Sequence, residues 1–130
     1  MTTLVIAAQD IRAIDAAMLT DGKITHVDHA DAQPEDYLHS LDAMLRKWGI
    51  KREVIDEIVV VAGPGSFTAS RVATTIANAL AFAQDIPVKG IENPKRLPLS
   101  DLLASIDLKA VAESVFVAPV YDRPPHITWG

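Results

Sequence analysis

Two kinds of apolar pattern alternate along the chain. Short runs of uninterrupted apolar residues predict buried strands, and apolar positions that recur every three or four residues predict helices with one buried face. The predicted strands are residues 4–8, 13–19, 23–29, 58–62 and 87–91, and the predicted helices are residues 34–48 and 67–83. Helices and strands that alternate after an initial run of strands indicate an α/β layer structure.

The first three strands are predicted to form an antiparallel start to the sheet. Asp21-Gly22 joins the second and third strands, and this dipeptide is a strong hairpin signal. The third strand places Ile24 and Val27 among polar neighbours with imperfect alternation. This pattern predicts that the third strand lies at an edge of the sheet.

The first helix carries its own boundary signals. Pro34 is suited to a first helical position, where its missing N–H would have no partner in any case. Gly49 is suited to the end of the helix. One broad apolar face between them consists of Tyr37, Leu38, Leu41, Met44, Leu45 and Trp48.

Residues 92–130 carry a weaker pattern, because prolines interrupt regular structure early. Residues 99–108 are compatible with a short helix, and residues 114–121 predict a strand interrupted by a proline. We therefore predict an N-terminal α/β domain of residues 1–91. The reduced C-terminal segment, residues 92–130, is expected to pack on the same domain.

Composition narrows the class of protein. The chain has 130 residues, 49% of them hydrophobic, which suits one domain with a buried core. It has no cysteine, which excludes disulfides and thiolate metal sites. The net charge of −5 offers little attraction to phosphate, so we expect no direct nucleic-acid binding by the chain alone. No apolar run approaches the roughly 20 residues of a membrane span, so no membrane association is expected. No basic stretch precedes the first apolar run, as it would in a signal peptide, so the expected compartment is the cytoplasm.

A glycine turn connects the strand at 58–62 to the second helix. Gly63 and Gly65 allow close approach of the backbone, and Ser66 is a candidate helix cap. Because amides at such a helix start can point at an anion, these three residues are candidates for anion or nucleotide binding. The alternative is a tight turn with a cap and no ligand. The turn lacks the lysine of a P-loop, so it does not predict ATP hydrolysis of that type.

The second helix carries small residues on two sides, which allows close approach of two neighbours. One neighbour is the sheet, and the other is either the first helix or another protein. We predict a docking surface made from both helices, with the residues Tyr37, Leu41, Met44, Trp48, Ser70, Thr74, Ala77 and Ala81. The alternative is that these side chains pack inside the chain.

No set of residues points to catalysis. His26 and His29 are three residues apart on a predicted strand, so they face opposite sides and suit no shared metal ion. His39 and Ser40 are adjacent on a helix and diverge by about 100°, so they cannot act together as base and nucleophile. We predict no catalytic residue, no metal site and no cofactor.

The glycine turn and its surroundings resemble the TsaB (YeaZ) family. The matching runs are Gly63-Pro64-Gly65-Ser66-Phe67-Thr68-Ala69-Ser70-Arg71-Val72-Ala73, Ala79-Leu80-Ala81-Phe82-Ala83, Ile86-Pro87-Val88-Lys89-Gly90, Leu38-His39-Ser40 and Pro119-Val120-Tyr121-Asp122-Arg123. The resemblance implies an actin- or sugar-kinase-like (ribonuclease H-like) fold with a central mixed sheet and packed helices. It also implies a role in making threonylcarbamoyladenosine next to the tRNA anticodon. The implied role is that of a non-catalytic scaffold for a TsaD-like catalytic subunit, with a TsaE-like ATPase as a further partner.

The chain also departs from the family pattern. Ala7-Ala8-Gln9-Asp10 stands where the family usually has Asp-Thr-Ser, two glycines of the motif are replaced by Ala69 and Ala73, and most of the second domain is missing. These departures favour a scaffold without a bound nucleotide. Two other classes stay open. One is an enzyme, either a glycoprotease-like metallopeptidase or a nucleotide-dependent transferase, and the other is a stand-alone homodimeric binding protein.

Overall fold

The computed structural model describes residues 1–121, which are built around a five-stranded sheet in the order β3-β2-β1-β4-β5. The strands are β1 (Thr2–Ala7), β2 (Ala13–Thr20), β3 (Lys23–Asp31), β4 (Glu57–Gly63) and β5 (Val88–Glu92). β2 runs antiparallel to both β1 and β3, whereas β4 runs parallel to β1 and to β5. The predicted mixed sheet is therefore confirmed.

Helices cover both faces of the sheet, so each face buries its own apolar cluster. The helices are α1 (Tyr37–Trp48), α2 (Phe67–Gln84) and α3 (Leu99–Ser105), with short 3-10 turns at Pro34–Asp36, Arg52–Val54 and Leu108–Ala110. α1 and α2 pack on the face that carries Leu4, Ile6, Ile58 and Val60. α3 packs on the opposite face, against Val5, Leu19, Val59 and Val61.

Local signals in the sequence explain the element boundaries. Gly49 ends α1 in a left-handed conformation (φ 70°) and donates its N–H to the Arg46 carbonyl. The Ser66 hydroxyl accepts a hydrogen bond from the Ala69 N–H at 3.3 Å and so caps α2. Asp21 and Gly22 both have positive φ, as the predicted tight hairpin requires.

The segment after α3 wraps around the β5 edge of the sheet. Ser114 pairs with Val88, and the chain then crosses to the α2 side, where the Asn78 carboxamide both donates to and accepts from the backbone of Val117. The predicted strand at 114–121 is therefore wrong beyond that single bridge, because the chain leaves the β5 edge to bury Val117 against α2. Asp122 and Arg123 of the family motif lie outside the described residues.

A buried ion pair stabilises the end of the sheet opposite the glycine turn. Lys89 Nζ lies 3.1 Å from Glu57 Oε2 and donates to the Leu108 carbonyl at 2.9 Å, while the Thr3 hydroxyl donates to Glu57 Oε1 at 3.2 Å. A buried pair of this kind needs such additional hydrogen bonds to offset its desolvation. Across residues 1–121, none of the helices has the length and apolar character that would let it cross a membrane.

Candidate functional site

A network of side-chain amides ties together the ends of the three parallel strands. The Gln9 amide nitrogen donates to the carbonyl oxygens of Pro64 (2.6 Å) and Asn93 (2.9 Å). Asn93 donates back to Gln9 Oε1 at 3.0 Å, and the Gln9 carbonyl accepts the Ser66 N–H at 2.9 Å. Open α/β sheets commonly bind ligands outside this edge, so the network occupies the place where a ligand is first expected.

The loop after β1 is held from two sides. The Arg12 N–H donates to Asp10 Oδ1 at 2.9 Å, and this backbone hydrogen bond, helped by the Arg12 guanidinium, holds the pKa of Asp10 below its ordinary value. The Tyr37 hydroxyl donates to the Asp10 carbonyl at 2.9 Å. Burial, together with the Asp10 charge, raises the pKa of Tyr37 to about 12, so the phenol stays protonated as a donor.

The glycine turn is explained by contacts within the chain. A Cβ at Gly63, which has φ 137°, would overlap the Val120 carbonyl, and a Cβ at Gly65 would lie 2.8 Å from Gln9 Cα. Ser66 caps α2 with its hydroxyl and uses its N–H on Gln9. These contacts account for all three residues without a ligand. Their role in anion or nucleotide binding stays a prediction.

A cleft of about 580 Å³ opens beside the amide network, between the β2–β3 hairpin and the segment that follows β5. Its volume is within the range of small-molecule sites. Apolar side chains are contributed by Ala7, Ala13, Val27, Leu97 and Leu99, and the charged ones include Asp10, Asp15, His29 and Arg96. The cleft therefore presents both signs of charge.

His29 is held between two carboxylates on the cleft side of the hairpin. Its Nδ1 lies 2.6 Å from Asp15 Oδ1 and its Nε2 lies 2.9 Å from Asp31 Oδ1. Only the imidazolium can donate from both nitrogens. The hydrogen bonds with Asp31 and then Asp15 raise the pKa of His29 above the ordinary value of 6.5.

The acidic and histidine side chains of residues 1–121 do not converge as the ligands of a metal ion would. No group of three or more of them within residues 1–121 has the arrangement of a metal site. Asp15 and Asp31 contact opposite nitrogens of the His29 ring, so the three groups cannot ligate one ion together.

The structure corrects the predicted docking surface. Seven of its eight residues are buried inside the chain, namely Tyr37, Leu41, Met44, Ser70, Thr74, Ala77 and Ala81, while Trp48 is partly buried against the same core. The small residues of α2 let that helix approach the sheet and α1 closely, so they serve internal packing. The prediction that these side chains are available to a partner is therefore wrong.

A groove of about 500 Å³ lies between the outer sides of α1 and α2. Leu41, Leu45 and Leu80 contribute its apolar lining, and Leu38, 55% exposed, stands beside them. Glu35 lines the groove before the start of α1 and Arg52 lines it after the end of α1. Within the groove the exposed apolar side chains are Leu38 and Leu80, whereas Phe67 and Phe82 of α2, 48% and 88% exposed, lie outside it.

Sequence reasoning missed Gln9, Asn93 and the role of His29. Gln9 and Asn93 each follow a predicted strand within two residues, and strands that run parallel end at the same edge of a sheet. That rule could have placed the two amides together. Nothing local in the sequence places His29 opposite Asp15, since that pairing depends on the register of the hairpin.

Comparison with known proteins gives consistent matches. The family model described as TsaD, tRNA N6-adenosine threonylcarbamoyltransferase, matches residues 29–104. The tRNA threonylcarbamoyladenosine biosynthesis protein TsaB of Haemophilus influenzae is 33% identical over 93 residues, which is 70% of this chain and 39% of that protein. A tRNA N6-adenosine threonylcarbamoyltransferase of Burkholderia thailandensis is 45% identical over 65 residues, which is 50% of this chain and 19% of that protein.

Solved structures agree with the sequence matches. YeaZ from Pseudomonas aeruginosa superposes with a TM-score of 0.62 at 25% identity, covering 71% of this chain and 44% of that one. A Bacteroides thetaiotaomicron protein with an actin-like ATPase fold gives 0.50 at 19% identity, covering 79% and 37%, which bears on the fold alone. The implied actin-like fold is confirmed. The chain spans less than half the length of each of these relatives.

Proposed function

The chain belongs to the TsaD family and is a relative of TsaB, and from that premise we propose that it serves tRNA threonylcarbamoyladenosine biosynthesis as a non-catalytic partner subunit. In this proposal it docks a TsaD-like catalytic subunit through the groove between α1 and α2. A TsaE-like ATPase as a further partner is proposed on the family resemblance alone.

The groove is the observation that carries the proposal. Leu41 and Leu45 form its buried floor, and the apolar area that a partner can remove from water comes from Leu80 and above all from Leu38, which is more than half exposed. The charges of Glu35 and Arg52 lie toward different ends of α1. A matching partner helix would carry aliphatic side chains, with a basic group near the start of α1 and an acidic group near its end.

Co-purification with the TsaD protein of the same organism tests the docking step. We expect a one-to-one complex with the wild-type chain and its loss with Leu38→Arg, because the guanidinium would replace apolar contact area with a desolvated charge. Val115→Arg is the matched control, since Val115 is 94% exposed and does not line the groove. Equal capture of both variants would rule the groove out as the docking site.

A tRNA-modification assay tests the non-catalytic role. TsaD alone is expected to be inactive or slow, and the wild-type chain to restore modification. Leu38→Arg is expected to restore a lower rate of modification, in proportion to its loss of binding to TsaD. Substitution of Asp10, Asp15 or His29 in the cleft should leave the restored rate unchanged. A rate that collapses with a cleft variant while the complex still forms would favour the second candidate, a transferase that uses the 580 Å³ cleft.

A further inference from the structure

Buried charge is concentrated at the end of the sheet opposite the glycine turn. Six polar or charged residues are buried within residues 1–121, and three of them, Thr3, Glu57 and Lys89, line one cavity of about 260 Å³. Glu57 and Lys89, 3% and 7% exposed, are the two charged residues among the six. None of the residues that line the cleft or the α1–α2 groove lines this cavity, so it is a separate site.

The ion pair between Glu57 and Lys89 interrupts an otherwise aliphatic face. Side chains alternate along a strand, so the next positions on the same side of β4 and β5 are Val59, Val61 and Ile91, which pack in the cluster under α3. Aliphatic residues of similar volume can replace a buried ion pair with little loss of stability and often with a gain. Packing alone therefore does not explain why charges stand here.

Lys89 keeps hydrogen-bonding capacity that the chain does not use. A lysine ammonium has three N–H donors. Within residues 1–121, Glu57 Oε2 at 3.1 Å and the Leu108 carbonyl at 2.9 Å take two of them. The third donor is available to an acceptor in the cavity that Lys89 lines.

The entrance of the cavity carries a positive charge. Asp21 is paired there with the amino group of Met1 at 2.6 Å, whereas the exposed Lys109 has no ion-pair partner within residues 1–121. With Glu57 paired to Lys89, the charge left over along the cavity is the ammonium of Lys109. An anion is therefore the ligand that the lining favours.

We propose that this cavity binds a small aliphatic monocarboxylate. The carboxylate accepts charge-assisted hydrogen bonds from Lys89 and Lys109, and the alkyl chain lies against Leu19 and Leu108, which also line the cavity. The cavity is smaller than the sites of roughly 300–1,000 Å³ that hold drug-sized ligands, so it suits a chain of about three to five carbon atoms.

Nuclear magnetic resonance of the full chain, titrated with sodium butyrate at constant ionic strength, tests the proposal. We expect saturable shifts at the amides of Lys89, Leu108 and Lys109. Lys109→Gln should weaken binding at least about fivefold, because it removes the charge that attracts the carboxylate. Lys95→Gln is the matched control, since Lys95 is also an exposed lysine but does not line the cavity, and it should bind butyrate as the wild-type chain does.

Two further arms test the chemistry of the ligand and the role of the buried pair. Acetate should bind about tenfold more weakly than butyrate, because it lacks two buried CH₂ groups. The double variant Lys89→Met/Glu57→Leu, shown by its thermal melt to be folded, should lose binding at least about tenfold while Lys109 stays in place.

Several results would overturn the proposal. They are shifts that do not saturate, equal affinity of Lys109→Gln and Lys95→Gln, undiminished binding by a folded double variant, and acetate or inorganic phosphate binding as tightly as butyrate, which would mean a site for anions in general. If the double variant does not fold, the comparison of Lys109→Gln with Lys95→Gln still decides, because both lysines are exposed.

Discussion

Ser70→Ala is expected to stabilise the protein. Ser70 lies in α2 with none of its surface exposed, and its hydroxyl has no hydrogen-bond partner among residues 1–121. An unpaired buried hydroxyl costs about 1–3 kcal/mol, and alanine adds roughly 0.5 kcal/mol of helix propensity over serine. Loss of a few van der Waals contacts offsets part of this gain. We expect the free energy of unfolding to rise by about 1–2 kcal/mol, which corresponds to an increase in Tm of roughly 4–7 °C.

Thr74→Val is the matched control for this prediction. Thr74 is also buried in α2, but its hydroxyl donates to the Ser70 carbonyl at 2.9 Å and to the Arg71 carbonyl at 3.1 Å. Valine keeps the shape and loses these bonds, so the free energy of unfolding should fall by about 0.5–1.5 kcal/mol. Urea unfolding and thermal melts of both variants measure the difference. If Ser70→Ala destabilises the chain as much as Thr74→Val does, the Ser70 hydroxyl has a partner and the reasoning is refuted.

Three further predictions concern other parts of the fold. Gly65→Val should lower the free energy of unfolding by several kcal/mol, because even a Cβ there would lie 2.8 Å from Gln9, and urea unfolding would show it. Lys89→Met should lower the free energy of unfolding by about 3–5 kcal/mol, because it leaves Glu57 buried without its ion-pair partner. The double variant Lys89→Met/Glu57→Leu should recover most of that free energy in the same urea assay. Because the pKa of His29 is raised in the fold, its hydrogen bonds stabilise the protein fully below pH 6.5, and this stabilisation is lost as the pH rises through the folded pKa. Thermal melts on both sides of pH 6.5 should show the decline in Tm. The variant His29→Gln should show no such decline.

The sequence predicted the strands of the sheet well but not the side chains that meet across the hairpin. A regular hairpin closed by Asp21-Gly22 pairs Thr20 with Lys23 and would pair Asp15 with Asp28. The structure keeps the first pair but shifts the register by one residue near Thr25, so that Asp15 faces His29 instead. A one-residue shift moves every later side chain to the other face of the sheet. The salt-bridged histidine beside the cleft is therefore a consequence of a bulge that has no clear signal in the sequence.

The docking surface was mispredicted for a different physical reason. The three- and four-residue spacing of Ser70, Thr74, Ala77 and Ala81 correctly predicted that they share a side of a helix. Periodicity identifies a face but not its neighbour, and small residues suit close packing within a chain as well as between chains. The length of α1 and its angle to α2 decide which case holds, and both depend on the whole fold. The accessible groove could be located only from the folded chain.

The polar groups around the cleft already have hydrogen-bond partners, whereas an apolar side chain in the groove is exposed to water. This difference favours contacts with proteins over a ligand in the cleft. Around the cleft, Asp10 is bound by Arg12, His29 by two carboxylates, and Gln9 by Asn93. A ligand that bound to these groups would have to replace hydrogen bonds already made, and the net gain from such an exchange is small. Leu38 in the helical groove is 55% exposed and has no such compensation. Covering this side chain gains about 25 cal/mol for each Å² of apolar surface removed from water, so a protein partner of the groove has more free energy available than a ligand that binds to the polar groups of the cleft.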